Sequence, residues 1–500
     1  MGSADPPVEA TMPELGRDTI ARNALWRLVD SGGSELLSIL FFIVLGRLLV
    51  PADFGIIAIA GAFLLSCQVI LRSGFGVALI QRETLEPAHL DVAFWGNLAL
   101  GALLAVLLIA VSVPMAAALG EPSLTPVMAA LAPNLVLSGA AWIFQARFKR
   151  ALRYDVVVFS ALASIFSGGL VGVLLALGGA GVWSLVGQQV VGALLGLLVL
   201  VGCSPWWPAL HFSRAHLRDL ASFSAKVVAS YGLETASQRA IPLILAFFVS
   251  SHMVGLYVIA SRLIWALANV SIFVIFDLGL VVLSRLRGRP EHHREAAYYT
   301  LRITALLCLP LFVGAALMAN PLILLLLGAH WIESVPLFQL LCLFSVLFAP
   351  YRCAQQILIS AGRPETALRL AVVISVLVPA FTLAAASFGI VAATVAASLA
   401  MATALPVAVR CLQVELGLRV WRLLIEQIPL WLATGAMGLV IWLLPSMMGA
   451  TMAHGVVLVA LQMVCGSGVF VAAVLLLAPG FAQEVAGRLW HSLARPASRD

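Results

Sequence analysis

Lys226, Ser230, Glu234 and Gln238 recur at four-residue intervals inside an apolar run. On a helix that spacing puts a cation, a hydroxyl, an acid and an amide on one face over roughly 18 Å. Arg239 follows directly, and Pro242 removes a backbone donor and should kink the helix just beyond. The first apolar run repeats the idea with Arg27, Ser31 and Glu35 at fours, and with Asp30 and Ser34 alongside. An ionisable side chain at the centre of a membrane span costs roughly 2.5–3.5 kcal/mol on insertion scales, so it faces a partner or a wet cavity. Two polar-lined helices bordering a water-accessible gap would bind and release a polar solute. Each charge also has a plainer reading. Lys226 and Arg27 lie near inner helix ends and can snorkel to the headgroups. Arg47 suits an interfacial anchor, and Arg72 and Asp277 divide between cavity and rim. Glu234, Arg239 and Arg262 lie further from the inner surface, and Glu234 with Arg239 could also form a buried pair that fixes packing.

The elements that position these groups must cross a membrane. Of 500 residues, 62% are apolar and 10% charged, against roughly 45–50% and about 25% in soluble domains. The apolar character runs from about Arg22 to Pro479, which excludes a water-soluble globule, a disordered chain, and a soluble enzyme with one small anchor. Helical spans of roughly 20 apolar residues are expected at 22–50, 55–80, 93–116, 125–145, 156–178, 181–202, 220–249, 253–282, 302–327, 335–351, 370–388, 389–409, 427–445 and 453–478. Fourteen spans put both termini on one side. With that side inside, the outer loops 51–54, 117–124, 179–180, 250–252, 328–334 and 446–452 and the 388/389 turn contain no Lys or Arg. The inner loops hold Arg82, Arg147, Lys149, Arg150, Arg153, Arg214, Arg218, Arg285, Arg287, Arg289, Arg294, Arg363, Arg419 and Arg422, as the positive-inside rule requires. Residues 1–20 are polar with acids and Pro, so no cleavable signal peptide is expected. Trp26, Trp95, Trp206, Trp207 and Trp331 fall near the interfaces and read mostly as belt residues.

The fold class expected is therefore an all-α integral membrane protein. The two polar-striped helices lie 200 positions apart, an offset that also pairs Gly32 with Gly232, Leu45 with Leu245, Gly55 with Gly255, Ile59 with Ile259 and Ala60 with Ala260. Polar helices opening two six-helix blocks suit an internally duplicated carrier with its site between the repeats. The domains expected are a cytoplasmic tail (1–21), a six-helix lobe (22–202), an inter-lobe linker (203–219), a second six-helix lobe (220–409), two extra helices (410–478) and a cytoplasmic tail (479–500).

Loops this short hold no catalytic domain. None carries a nucleotide-cradling G-x-x-x-x-G-K-[ST] or a zinc-binding H-E-x-x-H, and Glu291, His292 and His293 read as a solvated inner loop rather than a metal site. Cys67, Cys203, Cys308, Cys342, Cys353, Cys411 and Cys465 read as small core residues. The formal charge of +6 is spread between hydrophobic runs, 29 basic residues of which only Lys149 and Lys226 are Lys, so nucleic acid is not an expected partner.

Several stretches resemble the Wzx-like polysaccharide transporters of the multidrug/oligosaccharidyl-lipid/polysaccharide exporter superfamily. They are GRLLVPADFG (46–55), ALIQRETLEPAHLDVAFWGN (78–97), QARFKRALRYD (145–155), GVWSLVGQQVV (181–191), SPWWPAL (204–210), VGLYVIASRL (254–263), SRLRGRPE (284–291) and LLGAHWIESVPLFQLL (326–341). The resemblance implies two six-helix lobes that move an undecaprenyl-pyrophosphate-linked oligosaccharide from the inner to the outer leaflet of the cell inner membrane. It implies membrane lipids and a glycan polymerase or export machinery as partners, and no cofactor beyond a coupling ion, H+ or Na+. Arg239 and Arg262 fall where the family shows Arg. The run RAIPLIL (239–245) departs from it, with Pro242 and Leu243 where the family has an acid and an amide. The residues suit such a cargo: an Arg fork donates two parallel hydrogen bonds to pyrophosphate, and Ser, Gln and Tyr231 suit sugar hydroxyls. The substrate site expected is Arg27, Asp30, Ser31, Glu35, Arg72, Lys226, Ser230, Glu234, Gln238, Arg239 and Arg262. The rivals are a drug or metabolite antiporter coupled through Glu234 or Asp30, a peptidoglycan-precursor flippase of the same superfamily, and an intramembrane polymerase or ligase, which should carry a sizeable outer loop.

Overall fold

The computed structural model describes residues 30–73, 75–76, 79, 87–210, 213, 241–269, 271, 283, 289–447 and 455–494. Among these, twelve helices are long and apolar enough to cross a bilayer. Each falls on one of the expected apolar runs, and the remaining two runs, 22–50 and 220–249, lie partly outside the described residues. The protein is a multi-pass membrane protein. It divides into two compact units, Met1–Gly255 and Leu256–Asp500.

In the first unit a π-helical turn, Asp30–Ser34, leads into α1 (Glu35–Leu48). There follow α2 (Pro51–Ser73), α3 (Pro87–Leu119), α4 (Leu124–Leu131), α5 (Pro133–Arg150), α6 (Tyr154–Leu177) and α7 (Val182–Gly202). Pro51, Pro87 and Pro133 each open a helix, where the missing N–H has no intrahelical acceptor to lose. Pro133 also divides one expected span, 125–145, into α4 and α5.

Without a hydrophobic drive between helices in lipid, close packing relies on small residues and interhelical hydrogen bonds. A Cβ at Gly139 of α5 would lie 2.8 Å from the Asn97 carbonyl of α3, and one at Gly101 2.7 Å from the Leu135 carbonyl. The fully buried Asn97 donates through Nδ2 to the Gly139 carbonyl at 2.8 Å in the same crossing. Between α6 and α7, a Cβ at Gly192 would meet the Ser164 carbonyl at 2.8 Å, and Ser160 donates to the Gly196 carbonyl at 2.8 Å.

The SPWWPAL turn after α7 is fastened to this unit. Asp91 of α3, buried, accepts from the Ala209 amide at 3.1 Å, while Trp95 donates through Nε1 to the Ala209 carbonyl at 2.9 Å. One peptide residue is thus held at both its polar ends. Arg147 donates to Ser204 Oγ at 3.0 Å, and the Trp206 ring packs against Phe94 and Phe144. Trp95 and Trp206 therefore do structural work here, whereas Trp207 is 71% exposed and fits the expected belt. Asp91→Ala is expected to cost about 1.5–3 kcal/mol, the range for a hydrogen bond to a charged group. The thermal midpoint of the purified protein reads that loss, and Trp207→Ala should leave it unchanged.

The second unit contains α8 (Ser251–Ala268) from Leu256 on, α9 (Pro290–Leu317), α10 (Ala319–Leu326), α11 (Val335–Ser360), α12 (Pro364–Ala386), α13 (Ile390–Leu416), α14 (Val420–Met447), α15 (Val456–Leu477) and α16 (Pro479–Ala494). α9, α11, α12 and α13 pack as neighbours, and the α14–α15 pair joins them through α9. Polar ties cross these contacts: Tyr351 donates to the Leu370 carbonyl at 2.5 Å, and Gln462 of α15 donates to the Ile441 carbonyl at 3.0 Å.

Three expectations are corrected. The basic residues expected in inner loops at 147–150, 294 and 422 lie on helices, because α5, α9 and α14 continue past their apolar stretches. Those cations sit on helix ends rather than in coil. In α5, Arg147, Lys149 and Arg150 occupy the last turn, where the helix dipole favours positive charge. His293, expected in a solvated loop, is 3% exposed on the first turn of α9 and shares a hydrogen bond with Ser360 Oγ at 3.1 Å. The stretch 328–334, expected as an outer loop, contains a 3-10 helix, Ala329–Ser334, and Trp331 within it is fully buried rather than a belt residue.

Candidate functional site

The expected site residues fare differently. Arg27, Lys226, Ser230, Glu234, Gln238 and Arg239 lie outside the described residues, as does Tyr231. Asp30 and Ser31 belong to the π-helical turn that enters α1, and Glu35 opens α1, half-buried. Arg262 is half-buried on α8. Arg72 stands in a cluster that the sequence reading did not assemble.

Arg72 is exposed on the last turn of α2, and its guanidinium lies 5.2 Å from the centroid of the Trp142 ring of α5. The ammonium of Lys149 lies 5.7 Å from the same ring. Two cations thus share one indole, each within the range at which a ring quadrupole attracts positive charge. One turn back on α2, Gln68 donates through Nε2 to Ser138 Oγ of α5 at 3.1 Å, and Lys149 reaches Gln145 Oε1 at 3.5 Å.

Helical geometry explains the grouping. Gln68 and Arg72 are four residues apart on α2. Ser138, Trp142, Gln145 and Lys149 follow at intervals of four, three and four on α5, so they share a face over roughly 16 Å. The result is a stripe on apolar helices of a half-buried indole, two amides, a hydroxyl and Lys149, with the exposed Arg72 beside them. Arg72 forms no ion pair with a described residue. Such a surface can receive an anion between the cations and stack an apolar ring or sugar face on the indole. The signal lies in the i, i+4, i+7, i+11 pattern of α5, but Lys149 taken singly reads as a positive-inside marker.

A reciprocal contact links positions 200 apart. A Cβ on Gly55 of α2 would run into the backbone carbonyl of Ser251, and one on Gly255 into that of Pro51. All four residues belong to the first unit, which takes in the first turn of α8. Pro51 and Ser251, like Gly55 and Gly255, lie 200 positions apart, the offset noted in the sequence.

Residues 44–336 match the family model of polysaccharide biosynthesis proteins. The chain belongs to that family. The match includes α2 and α5, hence the whole Arg72–Trp142–Lys149 cluster, and the fastened turn at 204–210. Among relatives within reach, the succinoglycan biosynthesis transport protein ExoT of Rhizobium meliloti is 28% identical over 347 residues, covering 68% of each chain. The teichuronic acid biosynthesis protein TuaB of Bacillus subtilis is 21% identical over 358 residues, 71% of this chain and 74% of that one. The fold resembles that of the lipid II flippase MurJ in an inward closed conformation, with a TM-score of 0.72 at 14% identity, over 94% of this chain and 100% of that one.

Proposed function

We propose that this family member is a flippase, carrying an undecaprenyl-pyrophosphate-linked oligosaccharide from the inner to the outer leaflet of a bacterial inner membrane during exopolysaccharide, capsule or O-antigen assembly. The observation that carries the reading is the stripe of Arg72, Trp142 and Lys149 with Gln68, Ser138 and Gln145 on membrane-spanning helices. Relatives named for succinoglycan transport and teichuronic acid biosynthesis support the cargo class. A pyrophosphate and a hydroxyl-rich glycan cannot enter hydrocarbon unaided, because each unpaired polar group is costly to desolvate there. The protein need only replace water around the head while the prenyl tail stays in lipid. No bond is broken. Guanidinium and ammonium groups answer the pyrophosphate, the indole takes a sugar face, and the amides and hydroxyl take sugar OH groups.

In this reading the lobes expose the site to one face at a time, with both termini in the cytoplasm. Arg27, Asp30, Ser31, Glu35, Lys226, Ser230, Glu234, Gln238, Arg239 and Arg262 complete the cavity with Arg72, and H+ or Na+ would couple the cycle. Deleting the gene and assigning lipid-linked intermediates to leaflets tests it. Surface polysaccharide is expected to disappear while the lipid-linked oligosaccharide accumulates on the inner leaflet. Normal surface polysaccharide with no inner-leaflet accumulation would overturn the reading.

A further inference from the structure

A second cationic and aromatic group lies in the second unit, where α15 ends and the C-terminal helix α16 begins. Arg302 of α9 places its guanidinium 3.9 Å from the centroid of the Phe481 ring of α16. Tyr299 meets the same ring edge-on at 6.0 Å, and Phe481 is 4% exposed. The Nε of Arg302 is buried and has no hydrogen-bond partner.

Glu295 of α9 and Glu426 of α14 are held by another arginine. Arg422 of α14 covers the Tyr298 ring at 4.2 Å and holds both carboxylate oxygens of Glu295 at 2.6 Å and Glu426 at 2.6 Å. No ion pair with a described residue answers Arg302. The buried Nε is out of reach from outside, but the half-buried guanidinium carries a charge that no described acid neutralises, and an anion arriving from outside would do so.

Depth identifies the anion. Phe481 is four residues beyond Leu477, the last residue of a membrane-spanning helix, so Arg302 stands at the end of the hydrocarbon where headgroup phosphates lie. α16 itself is amphipathic. Phe481, Val485 and Leu489 recur at four-residue intervals, Gln483 and Glu484 are exposed, and Arg488, Arg495 and Arg499 follow in sequence. A helix of that kind directly after a span suits the plane of the interface.

We propose that Arg302, with the ring of Phe481 and the amphipathic helix α16, binds the phosphate of an anionic phospholipid. The site is independent of the cargo and of the Arg72 stripe. In the purified full-length protein, phosphatidylglycerol is expected to bind about fivefold more tightly than phosphatidylcholine through this one arginine. Arg302→Gln should remove that preference and Arg302→Lys should keep most of it. Arg294→Gln is the depth control: its Nε is also buried and unpartnered, but it lies eight residues, roughly 12 Å, further along α9 towards its start. It should leave the preference intact. In the unmutated chain, phenylglyoxal labelling of Arg302, mapped by peptide mass spectrometry, should fall severalfold with phosphatidylglycerol and be unchanged by phosphatidylcholine or by inorganic phosphate. A preference retained in Arg302→Gln, lost equally in Arg294→Gln, or matched by inorganic phosphate in the labelling experiment would overturn the proposal.

Discussion

Gly55→Val is expected to lower surface polysaccharide at least tenfold in a complemented deletion strain, with the protein still present in the membrane at its normal level. The new side chain would have to occupy the position of the Ser251 backbone carbonyl. Ser251 and Pro51 both lie in the first turns of helices, so neither carbonyl can swing aside without breaking the helical ladder. Overpacking against side chains costs typically about 1–3 kcal/mol, and against backbone the upper end applies, which is a loss of about a hundredfold in the population of this arrangement. Transport that depends on this packing of the first unit falls with its population. Gly255→Val should act alike, through the Pro51 carbonyl. The double substitution should be little worse than either single one, because both act at one crossing and such effects are not additive. Gly61→Ala, with no atom within 4 Å of the new methyl, is the silent control. Full complementation by Gly55→Val would show that the close approach is not visited in transport.

The same pair of glycines marks the limit of what the sequence discloses. Gly55 and Gly255 stand out as an offset of 200, but in so biased a composition the offset is only a coincidence of letters until the backbones are seen to touch. Spans are legible because hydrocarbon thickness sets their length and because a lipid-facing surface tolerates few charges. Their ends are less so. α9 starts at Pro290, well before the apolar stretch, since nothing in helix formation requires it to stop where the bilayer does. Trp331 departs from the expected belt for a related reason: an aromatic near an interface can sit in the belt or fill a core, and only packing decides. Of the expected site residues, Arg72 of α2 meets Trp142 of α5, some 70 residues away, and no local pattern joins them. The polar stripe at 226–238, the strongest local signal, lies outside the described residues.

Arg72→Ala is expected to reduce flipping of a lipid-linked oligosaccharide in reconstituted vesicles by about ten- to a hundredfold, the equivalent of losing one charge-assisted hydrogen bond worth about 1.5–3 kcal/mol. Because Arg72 is exposed and pairs with no acid among the described residues, its removal leaves no buried charge stranded, and the thermal midpoint should hold. Arg72→Lys keeps the charge but not the planar fork, so it should fall between the two. Trp142→Phe preserves a stacking face with a weaker attraction for cations, whereas Trp142→Ala frees both Arg72 and Lys149 from the ring that orients them. If the indole takes a sugar face, Trp142→Ala should raise KM for the glycan-bearing lipid more than for prenyl pyrophosphate without sugar. If the arginine takes the pyrophosphate, Arg72→Ala should weaken both cargoes alike. A purely structural cluster predicts the opposite pattern: Trp142→Ala would lower the thermal midpoint, and the ratio of the two cargoes would not move. Normal flipping by both alanine variants would remove the stripe from the transport path and leave the reading to rest on the residues of α1, α8 and the 226–239 run.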